Sequence, residues 1–357
     1  MKVISFGLDN KIFDPLSEVA RRAVLFGNKV DKYLVVVPTI NQDVNLSNQV
    51  TAWGVSGINK IHSFFNIYKR VSSLLKKEKF YLLTVQDTAY LGFLGLILAK
   101  KFHLKFEVQV HGFEKNNILR DYLAKQCLAN ADLVRVVSAR LRQQIKEKYH
   151  LFVGKIYIAP VALDKNKLIN TGILDLHKIY PDHFIFLTVG RLVSVKNIAL
   201  QLSVIKKLNN REKIKLIIVG EGLEKDRLKK LANDLNIREQ VIFYDWQEKI
   251  GDLYHSADCL LLTSNSEGYG LVVAEAILSD LPVIMTEVGV AGDLVEDGVN
   301  GFIVPVGDQL RLVEKISEVI QDKNLLPKFK QNCSNYKRKI LDKDQLIQVV
   351  LDHWRLL

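Results

Sequence analysis

Residues 184–197 read FIFLTVGRLVSVKN, an apolar run that stops at a glycine and continues into a basic, polar segment. The aromatic and β-branched residues of Phe184–Val189 predict a buried strand, and a helix is expected to start near Lys196. Backbone N–H groups at a strand-to-helix turn bind anions, and Arg191 and Lys196 add two positive charges there. The stretch predicts a diphosphate site, with an exposed basic turn that binds nothing as the alternative.

The same alternation of strand and helix continues on both sides of this stretch. The strands that the sequence predicts are Val3–Phe6, Tyr33–Val37, Tyr81–Val85, Phe106–Val110, Leu133–Val136, Lys155–Ile158, Phe184–Val189, Lys215–Val219, Val241–Phe243, Cys259–Leu262, Pro282–Met285 and Phe302–Val304. Such strands form parallel sheets from βαβ units. The chain of 357 residues is long enough for two domains. The alternation of strand and helix patterns is lost over residues 161–182, which predicts a linker between the two domains. The predicted fold class is α/β, with two doubly wound, Rossmann-like domains and a ligand cleft between them.

A second motif, SNSEGYGLVVAEA at residues 264–276, follows the predicted strand Cys259–Leu262. Its glycines permit a tight turn whose amides can approach a phosphate, and the helix that begins near Leu271 points its positive end at the same place. Glu267 and Glu275 lie eight residues apart, and their carboxylates could accept hydrogen bonds from a ribose and a hexose. The alternative is a capping acid and a buried helix glutamate.

His111 follows directly after the predicted strand Phe106–Val110. Parallel sheets bind ligands at the carboxyl ends of their strands, which favours a functional role for this histidine over a structural one.

Five motifs in this order resemble glycosyltransferase family 4, which has the GT-B fold. They are GRLVSVKN at 190–197, VGEG at 219–222, the Glu267–Glu275 pair as E-x7-E, TEVGVAG at 286–292 and DGVNGF at 297–302. The resemblance covers residues 184–308. It implies a retaining transfer of sugar from a nucleotide-activated donor, a UDP-sugar or a GDP-sugar, with no metal ion and no other cofactor.

The resemblance also implies a role for each matching residue. Arg191 and Lys196 would neutralise the diphosphate, Glu267 would contact the donor sugar and Glu275 the ribose, and His111 would face the transferred sugar. Asp14 and Ser17 would lie on the acceptor side. The donor-binding residues would be Gly190, Gly220, Gly268, Tyr269, Gly270, Leu271, Val272 and Glu275. We therefore expect an acceptor-side domain at residues 1–165, a donor-binding domain at 166–335, and a terminal helix at 336–357 that packs back on the first domain.

Charge is distributed unevenly between the two halves. Residues 1–167 hold 26 Lys and Arg against 13 Asp and Glu, whereas residues 168–357 hold 24 against 26. A basic first half suggests an anionic partner. The segment Trp53–Phe80 combines aromatic with basic residues, which predicts a helix at an anionic membrane surface; the alternative is a core-packing helix with a solvated charged face.

Several other classes of protein are excluded by what the sequence lacks. The most apolar run, residues 81–99, is broken by Gln86 and Asp87, and no secretion leader is evident. Cysteine and histidine spacing fits neither a disulfide framework nor a metal site, and no module for nucleic acid is found. We expect a cytoplasmic protein, peripheral on the inner membrane face.

These observations predict an enzyme that moves a hexose from a nucleotide-diphosphate sugar to a glycan or lipid-linked acceptor, in surface polysaccharide or glycolipid biosynthesis. Two alternatives stay open: a sugar-nucleotide epimerase of similar fold, and a non-catalytic partner associated with membranes. The carboxyl-terminal stretch, residues 310–357, is predicted to be helical, with breaks at Pro327 and around residues 332–335.

Overall fold

Two sheets of mainly parallel strands make up this computed structural model, which describes residues 1–112, 118–151, 153–208, 213–247 and 250–357. Each sheet belongs to one compact unit. The first unit comprises Met1–Val137, Leu141–Ala159 and Ile347–Leu357, and the second comprises Ser138–Arg140 and Pro160–Leu346. The main change of unit falls between Ala159 and Pro160, a few residues before the predicted boundary at residue 165.

The first sheet has eight strands within the described ranges: β1 (Lys2–Phe6), β2 (Lys32–Val37), β3 (Gln42–Asn45), β4 (Val50–Gly54), β5 (Leu82–Val85), β6 (Lys105–Val110), β7 (Leu133–Val136) and β8 (Ile156–Ile158). Their order is β3-β4-β2-β1-β5-β6-β7-β8, and only the β3–β4 pair is antiparallel. The accompanying helices are α1 (Glu18–Gly27), α2 (Lys60–Lys77), α3 (Tyr90–Phe102), α4 (Ile118–Asn130) and α5 (Ala139–Tyr149).

The second sheet has six strands in the described part of the chain: β9 (Phe184–Val189), β10 (Ile214–Val219), β11 (Val241–Tyr244), β12 (Cys259–Leu262), β13 (Val283–Thr286) and β14 (Gly301–Val304). Their order is β11-β10-β9-β12-β13-β14, all parallel. The helices of this unit are α6 (Leu176–Ile179), α7 (Ile198–Leu208), α8 (Lys225–Asp234), α9 (Gly251–Ser256), α10 (Leu271–Leu278), α11 (Gln309–Gln321) and α12 (Leu325–Lys337). The last helix, α13 (Lys343–Arg355), belongs to the first unit from Ile347 onward.

Both sheets contain a point where the strand order reverses direction. In the first sheet this point lies between β1 and β5, and in the second between β9 and β12. Open α/β sheets bind ligands outside the carboxyl ends of the strands at such a switch point, because the flanking loops diverge there. The fold therefore provides one candidate ligand position in each unit, and the predicted α/β class with two doubly wound domains is confirmed.

Three sequence-based expectations need correction. The β3–β4 hairpin was not predicted, and Trp53 lies in β4, so the helix expected from Trp53 begins only at Lys60. Asn59 sets that start, because its side chain accepts a hydrogen bond from the backbone of His62. The breaks expected at Pro327 and around residues 332–335 are wrong, since α12 runs through both. Pro327 stands in the first turn, where a missing N–H leaves no helical bond unmade.

None of the helices that the structure describes is both long enough and apolar enough to cross a lipid bilayer.

Candidate functional site

The two motifs of the second unit meet at its switch point. The turn at residues 190–197 follows β9, and the loop at residues 263–270 follows β12. The backbone N–H of Asn265 donates to the carbonyl of Val195 at 2.8 Å, and the side-chain amide of Asn197 donates to that of Asn265 at 3.2 Å. The fold thus brings the predicted basic turn against the predicted glutamate loop.

Buried hydrogen bonds hold the backbone at Lys196 in place. The next residue, Asn197, has φ of +47°, a left-handed conformation that asparagine tolerates. The hydroxyl of Thr263 lies 3.2 Å from the carbonyl oxygen of Lys196 and 3.1 Å from that of Asn197. The buried amide of Gln201 donates in turn to the Thr263 hydroxyl at 3.0 Å. This buried network fixes the direction in which the lysine leaves the turn.

Lys196 forms an ion pair with Glu267. Its Nζ lies 2.5 Å from Oε1 of the glutamate, and the buried hydroxyl of Ser264 donates to the same oxygen at 2.7 Å. The second oxygen, Oε2, has no hydrogen bond among the described residues and can accept one from a sugar hydroxyl. Arg191 is exposed and lines the same pocket as Lys196, and its side chain has no hydrogen bond or ion pair within the same ranges. The site therefore offers two cations and a positioned carboxylate.

The glutamate loop packs so closely against the backbone of residue 289 that only glycine fits there. Gly289 has φ of +55°, and a Cβ there would stand 2.3 Å from the carbonyl oxygen of Tyr269 and 3.0 Å from Cβ of Glu267. Tyr269 is buried, and this burial, together with the charge of Asp293, raises the pKa of its phenol. Gly270, with φ of +95°, is the N-cap of α10 and has no side chain to cap it, so the first two amides of that helix have no partner among the described residues. Those amides belong to the predicted donor-binding residues Leu271 and Val272.

Glu275 lies on α10, about one turn after Leu271. The hydroxyl of Tyr254, on α9, donates to its Oε2 at 2.7 Å, and burial raises the pKa of the Glu275 carboxyl. The pKa of Tyr254 is raised by its own burial and by the charge of Glu275. Tyr254 is a partner that the sequence did not reveal, because nothing in its spacing connects it with the motif.

Gly220, which follows β10, completes the predicted donor-binding set. It is buried, and a Cβ on it would stand 1.9 Å from the carbonyl oxygen of Gly190. The ends of β9 and β10 approach each other so closely because both residues are glycines.

The first unit has a pocket of about 290 Å³ at its own switch point. Gly7, Gln86 and His111, which follow β1, β5 and β6, line it together with Arg22 and Arg135, and we name it the Arg135 pocket. His111 is exposed as a whole residue, yet protein atoms around its ring desolvate the ring. This desolvation lowers the pKa of His111 to about 4, and the charges of Arg135 and Arg22 act in the same direction.

The two residues predicted for the acceptor side make local bonds in the first unit. Asp14 accepts from the backbone N–H of Leu16 at 2.9 Å, and Ser17 is the N-cap of α1, accepting from Ala20 at 3.1 Å. Neither lines the Arg135 pocket. His111, the catalytic residue predicted in the first unit, does line this pocket. The other predicted site residues all belong to the second unit.

The residues that sequence reasoning missed in the first unit are Arg22 and Arg135. Arg135 interrupts β7, whose sequence is otherwise apolar, and a charge in the middle of a buried strand was a signal that could have been noticed. Among the described residues, no group of three or more His, Cys, Asp and Glu side chains is placed to hold a metal ion.

Comparisons with known proteins agree with this architecture. Residues 174–340, a little under half of the chain, match the family described as glycosyl transferases group 1. An uncharacterized glycosyltransferase of Methanocaldococcus jannaschii is 25% identical over 78% of this chain and 76% of its own length. The UDP-Gal:alpha-D-GlcNAc-diphosphoundecaprenol alpha-1,3-galactosyltransferase of Escherichia coli is 27% identical over 84% of this chain and 77% of its own.

A solved structure shows the same fold over the whole chain. Anabaena HepE, determined in complex with UDP, has a TM-score of 0.81 and 18% identity, with 100% of both chains covered. This is the GT-B architecture. Fold, family match and relatives agree, and the chain is a glycosyltransferase.

Proposed function

We propose that this glycosyltransferase moves a hexose from UDP-sugar or GDP-sugar to a glycan or lipid-linked acceptor, with retention of configuration and without a metal ion. The observation that carries the proposal is the meeting of Lys196 and Glu267 at 2.5 Å, at the switch point of the second sheet and beside Arg191. The name of the Escherichia coli relative, which joins a UDP-sugar donor to a lipid-linked acceptor, supports the same substrate classes. Retention rests on the resemblance to family 4.

The proposed chemistry follows from where charge develops. When the bond between sugar and diphosphate breaks, negative charge accumulates on the leaving oxygens, and preorganised cations and amides stabilise it. Lys196, Arg191 and the first amides of α10 supply those groups. Glu267 would accept from a sugar hydroxyl through its unbonded oxygen and Glu275 from the ribose, while His111 would contact the transferred sugar from the first unit. Because cations of the chain itself neutralise the leaving group, no divalent ion is needed.

The donor is tested first by thermal shift with UDP, GDP and their sugar conjugates, with and without EDTA. A ligand at ~100 times its dissociation constant stabilises the folded state by ~2.7 kcal/mol. We expect a shift with the nucleotides of one base that survives EDTA. A shift that EDTA abolishes would contradict the metal-independent mechanism, and no shift with any nucleotide would contradict the donor site itself.

The roles of the two cations are tested by substitution. We expect Lys196→Ala and Arg191→Ala each to lower kcat about 10²- to 10³-fold, because each removes a charge aimed at the leaving group. Lys206→Ala, which removes an exposed lysine from α7, is the matched control and should keep the wild-type rate. Near-normal turnover in both site variants would show that Lys196 and Arg191 do not stabilise the leaving group. An isomerised donor sugar formed without acceptor would favour the epimerase instead.

We also propose that the first unit docks on an anionic membrane through α2. Ile58, two residues before this helix, and Ile61 and Phe65, in its first turns, are 93%, 82% and 58% exposed, while Ile67 and Val71 on the helix are buried in the core. The exposed lysines that follow are Lys69, Lys76 and Lys77. Exposed apolar residues followed by lysines match a helix that lies at a lipid interface. The helix therefore packs into the core on one face and remains apolar on another.

Vesicle sedimentation at low salt tests this docking. The double variant Ile61→Ser, Phe65→Ser should lose binding to anionic vesicles, whereas Leu310→Ser, at an exposed leucine on α11, should keep it. Equal binding of the wild-type protein to neutral and anionic vesicles, or none to either, would contradict the proposal.

A further inference from the structure

One face of the first sheet carries buried polar side chains where a parallel sheet normally buries apolar ones. The strand register aligns Ser5 with Thr84, Thr84 with Glu107, Gln109 with Arg135, and Arg135 with Tyr157. Because alternate residues of a strand share a face, Glu107 and Gln109 lie on the same side of β6. All of these residues are buried. The chain therefore keeps a polar layer inside this unit, which needs a physical reason.

Glu107, the acidic member of the layer, is satisfied by neighbouring donors. The hydroxyls of Thr84 and Tyr157 donate to its two oxygens, and the indole N–H of Trp354 donates to Oε1 at 3.0 Å. A buried carboxylate with several donors is stable without a cation. Glu107 and Arg135 form no ion pair in the part of the chain that the structure describes, although both charges act on Tyr157, which is aligned with Arg135.

Arg135, the basic member of the layer, has no side-chain partner among the residues that the structure describes. Only 9% of its surface is exposed, its Nε is buried without a hydrogen bond, and its guanidinium has no ion pair among the described residues. A buried cation without an acceptor is costly, and a guanidinium has five donors suited to carboxylate or phosphate oxygens. Because Arg135 lines the pocket, an acceptor that enters the pocket can reach it.

A second cation and neutral donors stand in the same pocket. Arg22, on the exposed side of α1, lines the pocket, and its guanidinium has no hydrogen bond or ion pair within the described ranges. Gln86 and Gln109 add amides. The acid in the lining is Asp9, and its carboxylate accepts from the backbone N–H of Lys11 at 3.0 Å, so it is engaged in its own turn. Within the described lining, the pocket therefore presents two cations that have no partner there, against one acid.

We propose that the Arg135 pocket binds an anionic group of the acceptor, a carboxylate or a phosphate carried on a sugar. Its volume of about 290 Å³ suits one charged sugar residue and not a whole glycan. His111 stands in the same pocket, which places the bound residue beside the side chain proposed to face the transferred sugar. The assignment to the acceptor rests on the proposed function; the affinity for an oxyanion does not.

The proposal is tested by calorimetric titration of the full chain with glucuronate, glucose 6-phosphate and glucose. The acid and the phosphate separate the two sources of negative charge, and glucose is the neutral control. We expect at least one anionic probe to bind about tenfold or more tightly than glucose. Arg135→Gln should weaken that probe by about tenfold or more, because it removes the buried charge and retains a polar side chain.

The matched pair on α1 separates the pocket from general electrostatics. Arg22→Gln should weaken the same probe, whereas Arg21→Gln, which removes an equal charge beside it but outside the pocket, should not. If Arg135→Gln does not fold, the Arg22→Gln and Arg21→Gln comparison carries the test. Anionic probes that bind no better than glucose, or equally to all variants, would overturn the proposal even if the nucleotide shift is present. Anionic probes that bind while no nucleotide does would keep the pocket and remove the proposed function.

Discussion

His111 resists protonation below physiological pH because its surroundings disfavour the charged ring. Desolvation in the pocket lowers its pKa to about 4, and Arg135 and Arg22 contribute in the same direction. The unfolded chain titrates this residue near 6.5. Between these values the unfolded state binds a proton that the folded state does not, so this residue lowers the stability of the fold as pH falls from 6.5 towards 4. Above pH 6.5 it contributes no pH dependence.

The titration can be followed by the ring protons of His111 in NMR spectra, assigned by their loss in His111→Asn. We expect a midpoint of about 4 in the wild-type protein and a higher midpoint in Arg135→Gln, because one of the opposing charges is removed. Lys29→Gln, at an exposed lysine after α1, should leave the midpoint unchanged. A wild-type midpoint near 6.5 would contradict the crowding of the ring.

The close approach of the ends of β9 and β10 positions the turn that carries Arg191, and a substitution at Gly220 tests this. Its φ is +148°, and a Cβ would stand 1.9 Å from the carbonyl oxygen of Gly190, which is backbone and cannot move aside. We expect Gly220→Ala to lower the free energy of unfolding by ~2–4 kcal/mol, from backbone strain and overpacking together. It should also weaken nucleotide binding, because the turn that bears Arg191 must shift.

Gly298 supplies the control, because its φ is +72° and a Cβ would meet nothing within 4 Å. Gly298→Ala should cost only the ~1–2 kcal/mol of a left-handed backbone. Urea denaturation of both variants measures the difference, which is the cost of the close approach. Equal losses in the two variants would show that β9 and β10 separate without penalty.

Individual strands and helices show what sequence patterns can predict. Strands such as β9 and β12 were predicted with the bounds that the structure has, because an apolar run buried on both faces is a strong local signal. The hairpin β3–β4 was missed, since its outer strand is polar and half exposed at the edge of the sheet. Pro327 was read as a helix break without regard to its position in the first turn, where proline is tolerated.

Across the whole molecule, the candidate site divides by how far apart its residues lie in sequence. Arg191, Lys196, Glu267 and Glu275 lie in short motifs next to predicted strands, so the local pattern and the resemblance to family 4 together predict them as site residues. The Arg135 pocket could not be found in this way. Its polar layer joins strands through register, and one of its donors, Trp354, is 247 residues from its acceptor Glu107. Only the folded sheet and the returning helix bring these residues together.

That long-range contact gives the last prediction. Trp354 is 1% exposed, its indole donates to Glu107, and its ring centroid lies 5.9 Å from that of Phe26 on α1. Trp354→Ala should lower the free energy of unfolding of the first unit by ~3–5 kcal/mol, since it leaves a cavity and removes a donor from a buried carboxylate.

Arg355→Ala, at the exposed neighbouring residue whose guanidinium pairs only with Asp352 in the described part of the chain, should change stability by less than ~0.5 kcal/mol. Urea denaturation followed by circular dichroism compares the two variants. Because two units need not unfold together, the loss should appear in one transition and leave the other in place. If Trp354→Ala and Arg355→Ala unfold at the same urea concentration, the carboxyl-terminal residues do not stabilise the first unit, and the polar layer must be held by the strands alone.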